Sequence, residues 1–498
     1  MKSELQTISL PKAIKPEHCF KDIETEGVLP DYSPDISRLV RVDAAPCVEN
    51  VRCDDKCEIS GKLVFGLLYE SDYKSKLAYT TFTVPFELKC DALAAKEIYP
   101  DVRCDCTYLT CRLLGQRKVS IKAKLDAVMT GVRVDDITVA KADGSDLNTF
   151  FKTETLAVSL PVARAGAEAE IKENLRIGEA VASVVYSTAV FAPAETEAFD
   201  TSAAVKADMH ISTLCELPDG GYRMYAHTVP VEVSVKNDAI NGDSTLEAKM
   251  DYSELSAVAD LDEYGENKVI NLHCNVRAAV TVRQEGEVTL PLDAFSRKHT
   301  CKCTRDDADF DIRVPQAGKT VSLERSHETD GDISAVLGSA TAFEIGEARV
   351  SGNMLLVRGK AKTDVLAQSG ESVVSRTFTD DFEDSIPFSG DIVPSVGDIT
   401  VFESKAELYG DTLNIRAMAF VGLSGDEHRH IPVLAAVELG DADEPVGGGF
   451  RFYYPDESET IWDIAKKYRV DPERLMSDNA ESIAPDGRLN GKRYITIR

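Results

Sequence analysis

Val119-Ser120-Ile121-Lys122-Ala123-Lys124-Leu125 decides the fold. Apolar residues stand at 119, 121, 123 and 125, with polar residues between them. A period of two sends alternate side chains to opposite faces of a pleated strand, one toward a core and one toward water. The same alternation returns at Ile270, Leu272, Cys274 and Val276, and again at Leu413, Ile415, Ala417 and Ala419. The intervals, from 119 to 270 and from 270 to 413, are 151 and 143 residues. A spacing of that size is too long for a solenoid repeat and suits one whole domain repeated three times.

Further marks recur in the first and third copies. Ser60-Gly61-Lys62 precedes the apolar run Leu63 to Tyr69, and Arg358-Gly359-Lys360 precedes Ala361 to Leu366. Pro85-Phe86 and Pro387-Phe388 follow those glycines in the same order. The middle copy keeps a strand at Met224 to Val235 without these marks. The expected organisation is mainly β and multidomain: residues 1–140, 150–300 and 312–439 as three β-rich domains, 440–449 as a linker and 450–498 as a small α+β module. Ala142 to Asp146, Thr304 to Asp311 and Pro315 to Lys319 read as connectors. The linker Gly440 to Gly449, GDADEPVGGG, reads as a flexible coil spanning roughly 17–19 Å, so the module beyond it is expected to move independently.

The chain has 498 residues, with 56 Lys and Arg against 84 Asp and Glu, a net charge of −28. Residues 450–498 carry nine basic and nine acidic residues, so the whole excess belongs to residues 1–449. An acidic surface keeps a protein soluble and lacks the cations that displace counterions from nucleic acid or dock on anionic lipid. The start, MKSELQTISLPKAIKPEHCF, has no apolar stretch of the kind a secretory signal needs, and no run is long enough to span a membrane. The twelve cysteines are therefore expected mostly as free core thiols in a reducing compartment, with metal ligation or a regulated disulfide as alternatives for two groups, Cys53/Cys57 with Cys104, Cys106 and Cys111, and Cys301/Cys303.

The last 49 residues change character. Phe450 to Tyr454 reads as a short aromatic strand. Ile461, Ile464, Ala465 and Tyr468 then follow helical spacing, with Ser458 as N-cap. Asp471-Pro472-Glu473 opens a second helix, and Arg493 to Ile497 closes as a strand. Trp462 is expected in the module's core.

This strand–helix–helix–strand order, with Ser458-Glu459-Thr460-Ile461-Trp462-Asp463-Ile464-Ala465 and Tyr468-Arg469-Val470-Asp471-Pro472-Glu473, resembles a LysM domain. The resemblance implies a ligand or partner groove between two loops, here Ser458, Glu459, Thr460 and Ile461 facing Asn479, Ala480, Glu481, Ser482 and Ile483. The usual Gly-Asp-Thr of the first loop is Ser458-Glu459-Thr460, and the usual Pro of the second is absent. Both departures turn the expectation from glycan toward protein. Leu29-Pro30-Asp31-Tyr32-Ser33-Pro34-Asp35-Ile36, with Leu39 to Asp43 and Ile59 to Leu63, resembles the SPOCS domain of spore-coat-associated proteins.

SPOCS repeats ending in LysM imply a non-enzymatic scaffold for spore-envelope assembly, at the forespore surface in the mother-cell cytoplasm. The implied partners are a spore-coat morphogenetic ATPase (SpoIVA-like) and other coat proteins. The alternatives are a peptidoglycan or N-acetylglucosamine binder and a cell-wall hydrolase. No catalytic residue, metal site or cofactor is assigned. Gly318-Lys319-Thr320 lacks the earlier glycine of a phosphate loop, Arg313 standing in its place, and His428-Arg429-His430 reads as a solvated loop before Pro432.

Overall fold

The alternations at 119, 270 and 413 lie in the central strands of three sheets of a computed structural model. It describes residues 3–53, 56–73, 76–90, 97–142, 148–390, 392–442, 449–456, 459–480 and 494–498. The first copy runs β1 (Leu5–Ala13), β2 (Glu17–Val28), β3 (Ile36–Cys53), β4 (Cys57–Ser71), β5 (Leu77–Cys90), β6 (Glu97–Gly115) and β7 (Lys118–Ala140). β7 pairs antiparallel with β6 on one side and with β1 and β2, end to end, on the other. β3, β4 and β5 form a second antiparallel sheet. The two sheets close on one core, where Ile23, Ile121 and Leu125 of the first meet Leu63, Phe65 and Phe86 of the second.

The second copy repeats this plan as β8 (Thr149–Arg176), β9 (Ser183–Phe191), β10 (Glu195–Phe199), β11 (Ser202–Glu216), β12 (Tyr222–Lys236), β13 (Thr245–Asp260) and β14 (Val269–Ser296). Here β8 alone does the work of β1 and β2, while β9 and β10 together line the edge that β3 fills in the first copy. The third copy comprises β15 (His299–Pro315), β16 (Lys319–Glu328), β17 (Ala335–Ser351), β18 (Met354–Ser369), β19 (Ser372–Pro387), β20 (Val393–Tyr409) and β21 (Thr412–Ala442), paired as in the first.

The recurrent glycines have one physical cause. A Cβ on Gly61 would sit 2.1 Å from the Cys47 carbonyl oxygen and 2.9 Å from the Phe86 ring; on Gly359 the distances are 1.9 Å to the Glu344 carbonyl and 2.8 Å to the Phe382 ring. Each glycine pairs with its phenylalanine across the ladder, and the partner strand bulges just beside it, at Val48/Asn50 or Ile345/Glu347. The ring covers the space a side chain would take. The counterpart of Phe86 is thus Phe382, not the Phe388 that the Pro-Phe dipeptide suggests. Seven residues before Leu214, as Gly61 stands before Leu68 and Gly359 before Leu366, the middle copy has Ala207 opposite Val231, a smaller pair that needs no glycine.

The three copies are joined through shared cores. Leu68, Leu214 and Leu366 each lie near the end of the corresponding strand, in β4, β11 and β18, and they meet in one buried cluster with Leu77, Tyr186, Leu337 and Val373. Above it the Arg41 guanidinium lies 5.2 Å over the Tyr186 ring while pairing with Asp43 at 2.9 Å. Arg38 donates to Glu70 at 2.8 Å and to the Val373 carbonyl at 2.7 Å, and the Tyr222 hydroxyl accepts from the Leu77 amide of the first copy at 2.8 Å. A second cluster collects Leu10 and Val139, Leu290, and Phe310, Ile431 and Val433 from the three copies.

Several sequence readings change. Thr304 to Asp311 is strand β15 rather than a connector, and His428 to His430 lies within β21 rather than in a loop. Residues 440–442 also belong to β21, with Ala142's neighbourhood at 143–147 and the linker at 443–448 outside the described residues. Four cysteines are paired: Cys19–Cys90 ties β2 to β5 across the first core, and Cys53–Cys57 closes the β3–β4 hairpin. Eight remain free thiols. Among the described residues, no helix is long and apolar enough to cross a membrane.

Candidate functional site

The C-terminal module consists of β22 (Arg451–Tyr453), α1 (Ile461–Tyr468), α2 (Pro472–Asp478) and β23 (Ile495–Ile497), with β22 and β23 paired antiparallel. Thr460, not Ser458, caps α1: its amide donates to Asp463 Oδ2 at 2.9 Å, and its hydroxyl accepts from the Asp463 amide at 3.4 Å. Ser458 lies outside the described residues. Asp471 caps α2 by accepting from the Glu473 and Arg474 amides, with Pro472 in the first turn. Arg469 takes the left-handed conformation, φ 52°, that ends α1.

Of the five described residues assigned to a groove, Glu459, Thr460, Ile461 and Asn479 are committed to the fold. Ile461 is buried in the module's core with Ile464, Ala465, Leu475, Ile495 and Ile497. Asn479 is buried and latches α2 to β23: Nδ2 donates to the Leu475 and Thr496 carbonyls at 2.9 and 2.8 Å, and Oδ1 accepts from the Thr496 amide at 2.7 Å. The Glu459 carboxylate accepts from the Tyr453 hydroxyl at 2.7 Å and pairs with Lys467 at 3.5 Å. These bonds hold Glu459 below the usual carboxylate range, the Tyr453 hydroxyl contributing most. Ala480 is exposed, and Glu481, Ser482 and Ile483 lie outside the described residues.

The module is seated on the body. Trp462 is half-buried at the edge of the module's core and packs edge-on against Phe295 of β14, with ring centroids 5.1 Å apart. Phe295 is in turn stacked on Phe150 of β8. Trp462 Nε1 donates to Asp293 Oδ2 at 2.9 Å, and the Lys466 ammonium reaches the same carboxylate at 2.6 Å. Burial pushes the Asp293 carboxyl upward, but the bonds from Lys466 and Trp462 outweigh it and hold it below its ordinary range. A cleft of about 630 Å³ runs beside this contact, lined among others by Lys152, Arg305, His430, Trp462 and Asp463.

The outward face was not read from the sequence as a site. Phe450, Phe452, Tyr454 and Tyr494 are all largely exposed on the side of β22–β23 away from the helices. Phe452 meets Phe450 at 85° and Tyr494 at 89°, with centroids 5.0 and 4.9 Å apart, and Arg498 lies 5.6 Å over the Phe450 ring. The signal was the alternation Phe450-Arg451-Phe452-Tyr453-Tyr454, which puts rings on the outer face as well as the inner one.

The set-aside motifs are also placed. Lys319 is paired with Asp384 at 2.7 Å. His428 sits on the face of β21 between Asp311 and Asp309, at 2.8 and 2.9 Å. Among the described residues, no group of three or more His, Cys, Asp or Glu is placed to hold a metal. Comparisons with family models, curated proteins and solved structures returned no match.

Proposed function

We propose that the protein is a non-enzymatic scaffold for spore-envelope assembly, in which the C-terminal LysM-like module captures a coat morphogenetic ATPase. The reading rests on the SPOCS and LysM resemblances of the sequence. It is supported by one observation above the others: the exposed ring cluster of Phe450, Phe452, Tyr454 and Tyr494 faces away from the body while α1 is held against it. Exposed aromatic clusters on a charged protein are typical of protein contacts. The partner-binding surface is therefore assigned to the outer sheet face. A second domain-sized binding surface on the same chain would raise avidity through effective concentration.

The test is affinity capture from sporulating cells with the full chain and with Phe452→Ala plus Tyr494→Ala. The expected result is loss of one ATPase from the double variant, with the remaining partners retained. Identical partners would overturn the assignment. Saturable binding of chitin oligomers by the wild-type chain would favour the glycan reading instead, and a cleared band on cell-wall zymography would overturn the non-enzymatic one.

A further inference from the structure

Cys301 and Cys303 differ from the other free thiols in setting. They stand two apart at the start of β15, and the ladder is irregular on both sides of them, at His299/Cys301 and Thr304/Arg305. Both are partly buried, against Ala140, Ala294, Leu434 and Val437. Cys303 Sγ lies 3.6 Å from the Ala294 carbonyl oxygen. Ala294 directly follows Asp293, the residue that holds Trp462 and Lys466 of the module. The pair therefore touches the strand segment on which the module is seated.

We propose that Cys301-Lys302-Cys303 is a thiol–disulfide switch whose closure disturbs the seat of the C-terminal module. The geometry sets both its feasibility and its lability. At the rise of a strand, Cα atoms two residues apart are about 6.4–6.8 Å from each other, and disulfides span roughly 4.4–6.8 Å. Closure is within reach only at the limit of that range, where the bulges on either side let the backbone give. A bond of that kind is easily reduced, as in regulatory rather than structural disulfides.

The electrostatics name the attacking sulfur. The bond donated by Cys301 lowers the Cys303 thiol to about 6 against burial and the nearby Asp293 carboxylate, with a smaller assist from Lys466, while the same bond drives Cys301 up. Cys104 and Cys106 have the same spacing on β6 and provide a contrast: burial pushes Cys104 up to about 12 and also raises Cys106. Cys303 as thiolate attacks a low-molecular-weight disulfide and expels one thiolate, leaving a mixed disulfide. Cys301 loses its proton, attacks the Cys303 sulfur and expels the second thiolate. Two protein thiols are oxidised, one small disulfide is reduced to two thiols, and no other reactant is needed.

The test treats the full chain with oxidised glutathione and maps its cysteines by peptide mass spectrometry, with Trp462 emission as the second readout; Trp462 is the single tryptophan of the sequence. A Cys301–Cys303 disulfide is expected to form about tenfold faster than any adduct at Cys104 or Cys106. Its formation should shift Trp462 emission, and dithiothreitol should restore it. Cys301→Ser should retain glutathione on Cys303, and Cys303→Ser should abolish both the disulfide and the emission change. Unaltered far-ultraviolet circular dichroism of the two variants establishes that they fold. Modification of Cys303 no faster than Cys104 would overturn the switch, and a disulfide that forms without any change at Trp462 would overturn its coupling to the module.

Discussion

The body and the C-terminal module are held together in opposite ways. In the body, no copy finishes its own apolar surface: Leu68, Leu214 and Leu366 are buried only because the three copies meet, and Phe310 and Leu10 come from different copies of a second shared cluster. Among the described residues, the module's small core closes on Phe295 of the body, with Phe150 and Trp462 packed beside it, and Asp293 holds Trp462 and Lys466. Shared apolar burial over whole sheets makes stability collective, whereas a seat of one buried ring and one carboxylate can be released at much lower cost.

Substitutions should separate the two regimes. The largest effect is expected from Phe310→Ala, which empties a fully buried site between copies and should cost about 3–5 kcal/mol of body stability. Chemical denaturation followed by circular dichroism measures it; a loss confined to the third copy would break the claim of a shared core. Asn479→Ala removes three hydrogen bonds that join α2 to β23 and leaves the Thr496 amide unsatisfied, a loss of about 2–3 kcal/mol. It should unfold the module and leave the body's transition where it was.

Asp293→Asn should be milder. It removes the charge that Lys466 pairs with, but Lys466 is 40% exposed, so water screens the pair and the seat should weaken by about 1 kcal/mol. Trp462 emission checks it, and an unchanged spectrum would show that Phe295 alone holds the ring.

The smallest effect is that of acid. Because the Asp293 carboxyl is lowered in the seated state, its contribution is complete above the ordinary aspartate value of about 4 and is lost as pH falls through the lowered one. Trp462 emission should therefore be flat from neutral pH down to that value and change only below it, in the wild type and not in Asp293→Asn. A change centred near pH 6 would place the controlling group elsewhere.

The strand content was legible because alternation is local: Val119 to Leu125 has one buried face in any β arrangement. The helices of the module were legible for the same reason, through Pro472 and the spacing of Ile461, Ile464 and Ala465. The union of the copies was less so, yet it left a trace. At Leu67-Leu68, Leu214-Cys215 and Leu366-Ala367 the alternation fails, and both neighbours are buried. A strand apolar on both faces is covered on both faces, here by its own core on one side and the other copies on the other. The disulfide Cys19–Cys90 left no such trace, since 71 residues separate the partners and only the closed sandwich brings them together. Asn479 and Ile461 illustrate the converse. The loop positions were identifiable by resemblance, but whether a side chain faces a ligand or latches a strand depends on hydrogen bonds that sequence does not display.

Equilibrium denaturation of the full chain, followed at once by circular dichroism and by Trp462 emission, tests the central claim most directly. A single cooperative circular-dichroism transition is expected for residues 1–442, preceded at lower denaturant by the Trp462 change as the module leaves its seat. Three separate circular-dichroism transitions, or a Trp462 change that coincides with unfolding of the body, would contradict it.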